Sequence, residues 1–301
     1  MKVLCVLAVS LILLAASVLN AAAISERTLI IEIPFIEREH VPLEHYRGKK
    51  PLYIKFWASW CQTCLKEMPH FQHSFEQYGS DIEFISVNVG LEDTVDTVQS
   101  AIKTYGLTMP QAIDSKGALA KHFRFQGTPY HLLLDKELNV VHAGHSANSD
   151  VDRKLALLAS NTPLEFLSSE RFNETEGDID IDFATTATHI LYFSAAWCHW
   201  YLEKSRPQTS QACIQNQLDI NDAYTRLPKT LTLHSVLSRL WTDDEALAQY
   251  RHKFNVKHPL VIDKSNALFF RYQITALPTF VVIRDGKEVA RYRDFNTIPI
   301  Q

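Results

Sequence analysis

Two cysteines separated by two residues and flanked by tryptophan carry the most chemistry in this chain: Trp60-Cys61-Gln62-Thr63-Cys64. Before them, Leu52 to Phe56 reads as a buried strand. After them, Cys64, Leu65, Met68, Phe71, Phe75 and Tyr78 recur with Cys61 on one helix face at i, i+3, i+4 spacing. The spacing predicts a helix from Cys61 to about Tyr78, kinked but not ended by Pro69. Cys61 then stands at the helix N-terminus and Cys64 one turn inside. Unpaired N–H groups and the helix dipole stabilise a thiolate there, which makes Cys61 the attacking thiol. Cys64 is close enough to attack a mixed disulfide on Cys61 and release the partner. Such a pair is its own redox centre, so neither cofactor nor metal is expected.

Other uses of two cysteines fit less well. A structural zinc site takes four ligands, usually from two such pairs, and there is no second Cys-x-x-Cys. Met68, His70 and His73 raise the question of copper, but His70 lies about 180° around the helix from Cys61, and His73 about 180° from Cys64. Met68 shares the cysteine face yet sits roughly 10 Å along the axis. Leu65 rather than histidine follows Cys64, which excludes covalent haem.

The run Phe56-Trp57-Ala58-Ser59-Trp60-Cys61-Gln62-Thr63-Cys64-Leu65-Lys66-Glu67-Met68-Pro69 resembles the active site of the thioredoxin superfamily, most closely its exported TlpA/ResA-like branch. The second half of the resemblance is Gly127-Thr128-Pro129 before the strand Tyr130 to Leu134. In that family the proline is cis and faces the cysteines, and the residue before it touches the substrate chain. The resemblance therefore assigns Trp60 to shielding the site and Thr128 and Pro129 to docking the substrate backbone. It also argues against a static disulfide. Two departures stand out. Lys55 occupies the place, six before Cys61, where relatives carry an acid or asparagine. A cation beneath the cysteines would favour the thiolate; the alternative is that Lys55 snorkels to the sheet edge. The dipeptide Gln62-Thr63 lacks the usual proline, which leaves the direction of electron flow open.

The first 23 residues read as a signal peptide: Lys2, an apolar run from Leu4 to Leu19, then Ala21-Ala22-Ala23. The apolar run is shorter than the roughly 20 residues a membrane span needs, and an uncleaved anchor is the alternative. Export leads to a compartment where disulfides persist, periplasmic by the resemblance. Net charge of −4 gives no reason to expect nucleic acid. The partners expected are protein thiols and disulfides, with a membrane thiol reductase as the electron donor the resemblance suggests.

At 301 residues the chain is long enough for two domains, and it repeats itself. Ile190 to Cys198 restates the strand and the Trp-Cys corner; Asp263 to Leu268 restates Asp114 to Leu119; Leu277-Pro278-Thr279-Phe280 restates the proline loop. The expected fold is α/β, with two tandem thioredoxin-like domains, each a central mixed sheet flanked by helices. The bounds are 1–23 signal, 24–161 catalytic domain, 162–188 linker and 189–301 degenerate domain. In the second copy Tyr201 replaces the resolving cysteine. One helix spanning Cys198 and Cys213 would hold them roughly 22 Å apart. A helix starting at Ser205-Arg206-Pro207-Gln208, with Ser205 as its cap, would instead leave Cys198 in a loop able to fold back to Cys213. Trp197, Trp200 and Tyr201 form either an apolar binding surface or packing. The functional expectation is an exported thiol–disulfide oxidoreductase working as a reductase; the alternative is a non-enzymatic thioredoxin-fold protein that binds a partner or copper.

Overall fold

The computed structural model describes residues 31–167, 179, 181, 183 and 188–300. The expected signal peptide and most of the expected linker lie outside the described residues. A two-stranded ribbon, β1 (Glu32–Ile33) with β2 (Val41–Pro42), leads into a 3-10 turn at Leu43–Tyr46.

Two five-stranded sheets follow. The first contains β3 (Leu52–Trp57), β4 (Glu83–Asn88), β5 (Gln111–Ile113), β6 (Tyr130–Leu134) and β7 (Val140–Gly144), in the order β5-β4-β3-β6-β7. β3, β4 and β5 are parallel, while β6 and β7 are antiparallel to their neighbours. Its helices are α1 (Gln62–Lys66), α2 (Met68–Tyr78), α3 (Val95–Tyr105), α4 (Ala118–Phe123) and α5 (Ser149–Ala159). Every residue of β3 is buried, as a central strand covered on both faces must be. The apolar run of the sequence, interrupted only by Lys55, reports that position.

The second sheet repeats this order as β10-β9-β8-β11-β12. It uses β8 (Thr188–Ser194), β9 (Leu231–Ser238), β10 (Leu260–Asp263), β11 (Thr279–Arg284) and β12 (Lys287–Tyr292). Its helices are α6 (Cys198–Tyr201), α7 (Pro207–Tyr224), α8 (Asp244–Phe254) and α9 (Ala267–Arg271). The repeat extends to single atoms: Asp114 accepts from the Ala120 N–H, and Asp263 from the Phe269 N–H, each tying the start of a short helix. The peptides before Pro129 and Pro278 are both cis.

The two units meet at their Trp-Cys corners. Trp60 and Trp197 stack with ring centroids 4.7 Å apart, and Tyr201 sets its edge against both. Each indole donates to the loop after its own second parallel strand, Trp60 to the Leu91 carbonyl and Trp197 to that of Leu240. Both rings are almost fully buried. Truncating Trp197→Ala should cost about 3 kcal/mol, the usual penalty for removing a buried aromatic ring. Urea unfolding measures this; a change below about 1 kcal/mol would mean that the stack does not hold the two sheets together.

Candidate active site

Cys61 sits just outside α1 as its N-cap, with extended backbone, and its sulfur accepts the Cys64 N–H at 3.2 Å. Cys61 and Cys64 are joined by a disulfide with Cα atoms 5.2 Å apart. The Thr128 carbonyl lies 3.4 Å from Cys61 Sγ, so the strand β3 corner and the loop before β6 bring Cys61, Cys64, Thr128 and Pro129 together. Helix geometry corrects one expectation. The helix is not continuous from Cys61 to Tyr78: it breaks at Glu67 (φ −89°, ψ −6°), and α2 begins with Pro69 in its first turn, where a missing N–H costs nothing. The apolar face nevertheless continues, and Met68 and Phe71 are buried. His73 is exposed, and His70 faces Asp152 at 3.0 Å.

Lys55 does not snorkel. Its side chain is fully buried and its Nζ lies 3.1 Å from Glu67 Oε2. His131, the residue opposite Lys55 across the β3–β6 ladder, donates its Nε2–H to the same oxygen at 3.0 Å, and Tyr53 bonds the far ring nitrogen at 2.6 Å. Burial lowers the Lys55 pKa to about 8, partly offset by Glu67. Burial also raises Glu67, but the His131 bond and the Lys55 charge prevail and hold its carboxyl at about 2. Glu67 and His131 were missed from the sequence alone. The available signal was a lone lysine in an otherwise apolar strand, and a lone histidine in the next, which together require a counter-charge.

In the second unit Cys198 and Cys213 are bonded, with Cα atoms 6.2 Å apart, and both are buried. The chain turns between α6 and α7, which removes the single-helix geometry. Ser205 is not the cap: α7 is preceded by Arg206, no side chain caps it, and Pro207 fills the first helical position. Arg206 instead crosses to the first unit, where it reaches Ser59 Oγ at 2.8 Å and Asp93 at 3.2 Å. Asp93 has no side-chain exposure and also accepts from the Ser59 N–H and from Asn88. Of the three aromatics at the second corner, Trp197 is packed, Tyr201 holds its hydroxyl 3.3 Å from the Gln62 N–H, and Trp200 is exposed.

The second unit therefore covers the first unit's disulfide: Cys61 is 1% exposed and Cys64 has no exposure. No group of three or more metal-ligating side chains occurs among the described residues.

Comparisons with known proteins agree with this geometry. Residues 30–143 match the AhpC/TSA family. Sporulation thiol-disulfide oxidoreductase A of Bacillus subtilis is 36% identical over 104 residues, which is 34% of this chain and 62% of that protein. Thioredoxin-like protein YneN of the same species is 31% identical over 122 residues, 40% of this chain and 71% of that one. Thiol-disulfide oxidoreductase ResA of Bacillus thuringiensis is 30% identical over 107 residues, 35% of this chain and 60% of that protein. Among solved structures, StoA from Bacillus subtilis aligns with a TM-score of 0.38 and 26% identity, over 43% of this chain and 97% of that one. The chain thus belongs to the thioredoxin-like AhpC/TSA family, and it spans about six tenths of the length of the first of these relatives.

The Lys55–Glu67–His131 cluster yields a test of stability. Glu67→Gln would leave Lys55 in the core without its counter-charge, to be held charged or to give up its proton, costing about 3 kcal/mol, whereas Lys55→Met should cost much less. Because the Glu67 pKa falls from 4.5 to about 2 on folding, its contribution is complete above pH 4.5 and is lost as pH falls toward 2. Urea titrations at pH 7 and pH 3 read both effects; equal losses for the two variants at pH 7 would refute the pairing.

Proposed function

We propose that the chain is an exported thiol–disulfide oxidoreductase that reduces protein disulfides in the periplasm through Cys61 and Cys64. The observation that carries this reading is the cysteine pair at a helix start, with Cys61 Sγ accepting the Cys64 N–H beside the Thr128 carbonyl. A backbone N–H aimed at that sulfur favours the thiolate once the pair is reduced. The names of its relatives, thiol-disulfide oxidoreductases among them, support the same chemistry.

In the forward direction the Cys61 thiolate attacks one sulfur of a client disulfide. A Cys61–client bond forms, and the other client sulfur leaves as a thiolate and takes up a proton. Cys64, as thiolate, then attacks Cys61 Sγ; the second client thiolate leaves and the Cys61–Cys64 disulfide forms. The client gains two electrons and the enzyme loses two. An external dithiol donor must restore the reduced pair, and a membrane thiol reductase suits an exported protein. Thr128 and Pro129 are proposed to align the client backbone, and Trp60 to shield the sulfurs. Lys55, with Glu67, is proposed to set the charge beneath them. The Cys198–Cys213 bond is read as a structural staple. Among the described residues no helix is long and apolar enough to cross a membrane.

Insulin reduction by dithiothreitol tests the enzyme reading. The mature chain should accelerate it, Cys61→Ser should abolish the acceleration, and Cys64→Ser should accumulate a mixed disulfide. A non-enzymatic binder, the reading that the covered disulfide favours, shows none of these. A glutathione titration tests direction: a midpoint below about −200 mV fits a reductase, and one near about −120 mV fits an oxidant.

A further inference from the structure

The loop after β9 behaves as a guest in the first unit. The backbone N–H of Trp241 donates to the Gln126 carbonyl at 2.6 Å, and its indole N–H donates to the Thr128 carbonyl at 3.1 Å. That carbonyl is the one 3.4 Å from Cys61 Sγ. The indole lies against Gly127 so closely that a Cβ there would fall 2.5 Å from Cε2 and 2.7 Å from Cδ2. Gly127 has no positive φ, so space for the ring is what calls for glycine. His145 closes one side, its ring 5.1 Å from the indole and its Nδ1 2.8 Å from the Pro129 carbonyl.

Ordinary packing does not account for Trp241. The residue is 50% exposed, and its backbone is left-handed (φ 52°), a costly conformation for a bulky side chain. The matching residue of the first unit, Glu92, is also left-handed (φ 58°), and its N–H donates to Thr275, three residues before Pro278. Its carboxylate bonds the Leu277 N–H and the Thr209 hydroxyl. Each unit thus lays one loop residue along the other's proline loop, its N–H donating to the carbonyl three residues before the proline, as a polypeptide substrate does when it bonds to an exposed backbone edge. Thr128 is buried, and its hydroxyl has no hydrogen-bond partner among the described residues. The ledge therefore holds a polar group that its present occupant leaves unused.

We propose that the ledge Gln126-Gly127-Thr128 is a docking subsite for an aromatic side chain beside the exchanging cysteine of a client polypeptide, and that Trp241 fills it as an internal pseudosubstrate. The proposal rests on the oxidoreductase reading for the identity of the client. Backbone acceptors at Gln126 and Thr128 align the chain, and the missing side chain at Gly127 admits a flat ring. An aliphatic or charged neighbour would leave that slot poorly filled.

Iodoacetamide labelling of Cys61 in the dithiothreitol-reduced full-length protein, mapped by mass spectrometry, tests the proposal without requiring turnover. Trp241→Ala should label about tenfold faster than wild type, reflecting the loss of one indole hydrogen bond and its ring contacts. A cysteine-free Gly-Gly-Trp-Gly-Gly peptide should slow that labelling, and Gly-Gly-Ala-Gly-Gly should not. Gly127→Ala should also label faster, because its methyl evicts Trp241, yet the tryptophan peptide should give it no protection because the same methyl fills the slot. Should Trp241→Ala fail to fold by circular dichroism, Trp241→Phe, which keeps an aromatic ring but loses the indole donor and the fused second ring, should label at an intermediate rate. Wild-type labelling rates in the variants, equal protection by both peptides, or protection of Gly127→Ala would each overturn the subsite. Failure of the oxidoreductase reading shows up elsewhere, as absence of insulin reduction by wild type and by the faster-labelling variants alike.

Discussion

Two indoles pressed together at the centre of the molecule set the terms for everything around them. Trp60 precedes Cys61 and Trp197 precedes Cys198, so stacking them sets the two Trp-Cys corners face to face. Once that contact is made, the loops after the second parallel strands are carried onto the opposite proline loops. Arg206 is likewise delivered to Asp93, a carboxylate with no solvent to neutralise it. A buried charge without a partner would cost several kcal/mol. The ion pair across the interface is therefore a condition of closing it.

The sheets, their repetition and the cysteine pair were legible because they rest on local signals. Leu52 to Trp57 is apolar but for Lys55 because β3 is central, and each proline loop sets its proline just before an apolar strand, Pro129 before β6 and Pro278 before β11. The break at Glu67 was legible only as a kink: Pro69 cannot donate to the Leu65 carbonyl and disturbs that turn, while the apolar spacing runs straight across it and gave no sign that Glu67 turns to Lys55 and His131. The role of Arg206 was hidden for the same reason. Its neighbours Ser205 and Pro207 imitate a helix cap, while its guanidinium answers to Asp93, more than a hundred residues away in sequence.

The second unit shows which features of the shared fold persist beside a different cysteine pairing. Its corner tryptophan, its proline loop and its helix-tying Asp263 persist, because each serves the architecture. The resolving position does not, and Tyr201 now offers its hydroxyl to the backbone of Gln62 across the interface. That corner lines the contact between the units. Cys198 is bonded to Cys213, which fastens the short helix α6 to the long helix α7.

Burial of Cys61 and Cys64 under a unit of the same chain also has a meaning in concentrations. A cover joined by covalent linkage competes for the site at an effective concentration on the order of millimolar, whatever the dilution of the protein. Small free thiols, which grip nothing but the sulfur, meet that competitor without any docking energy to displace it. A polypeptide that binds along the proline loop brings such energy with it. On the proposed oxidoreductase reading, the tandem arrangement would separate Cys61 and Cys64 from the bulk thiol pool and grade access by how well a partner binds, before any sulfur is attacked.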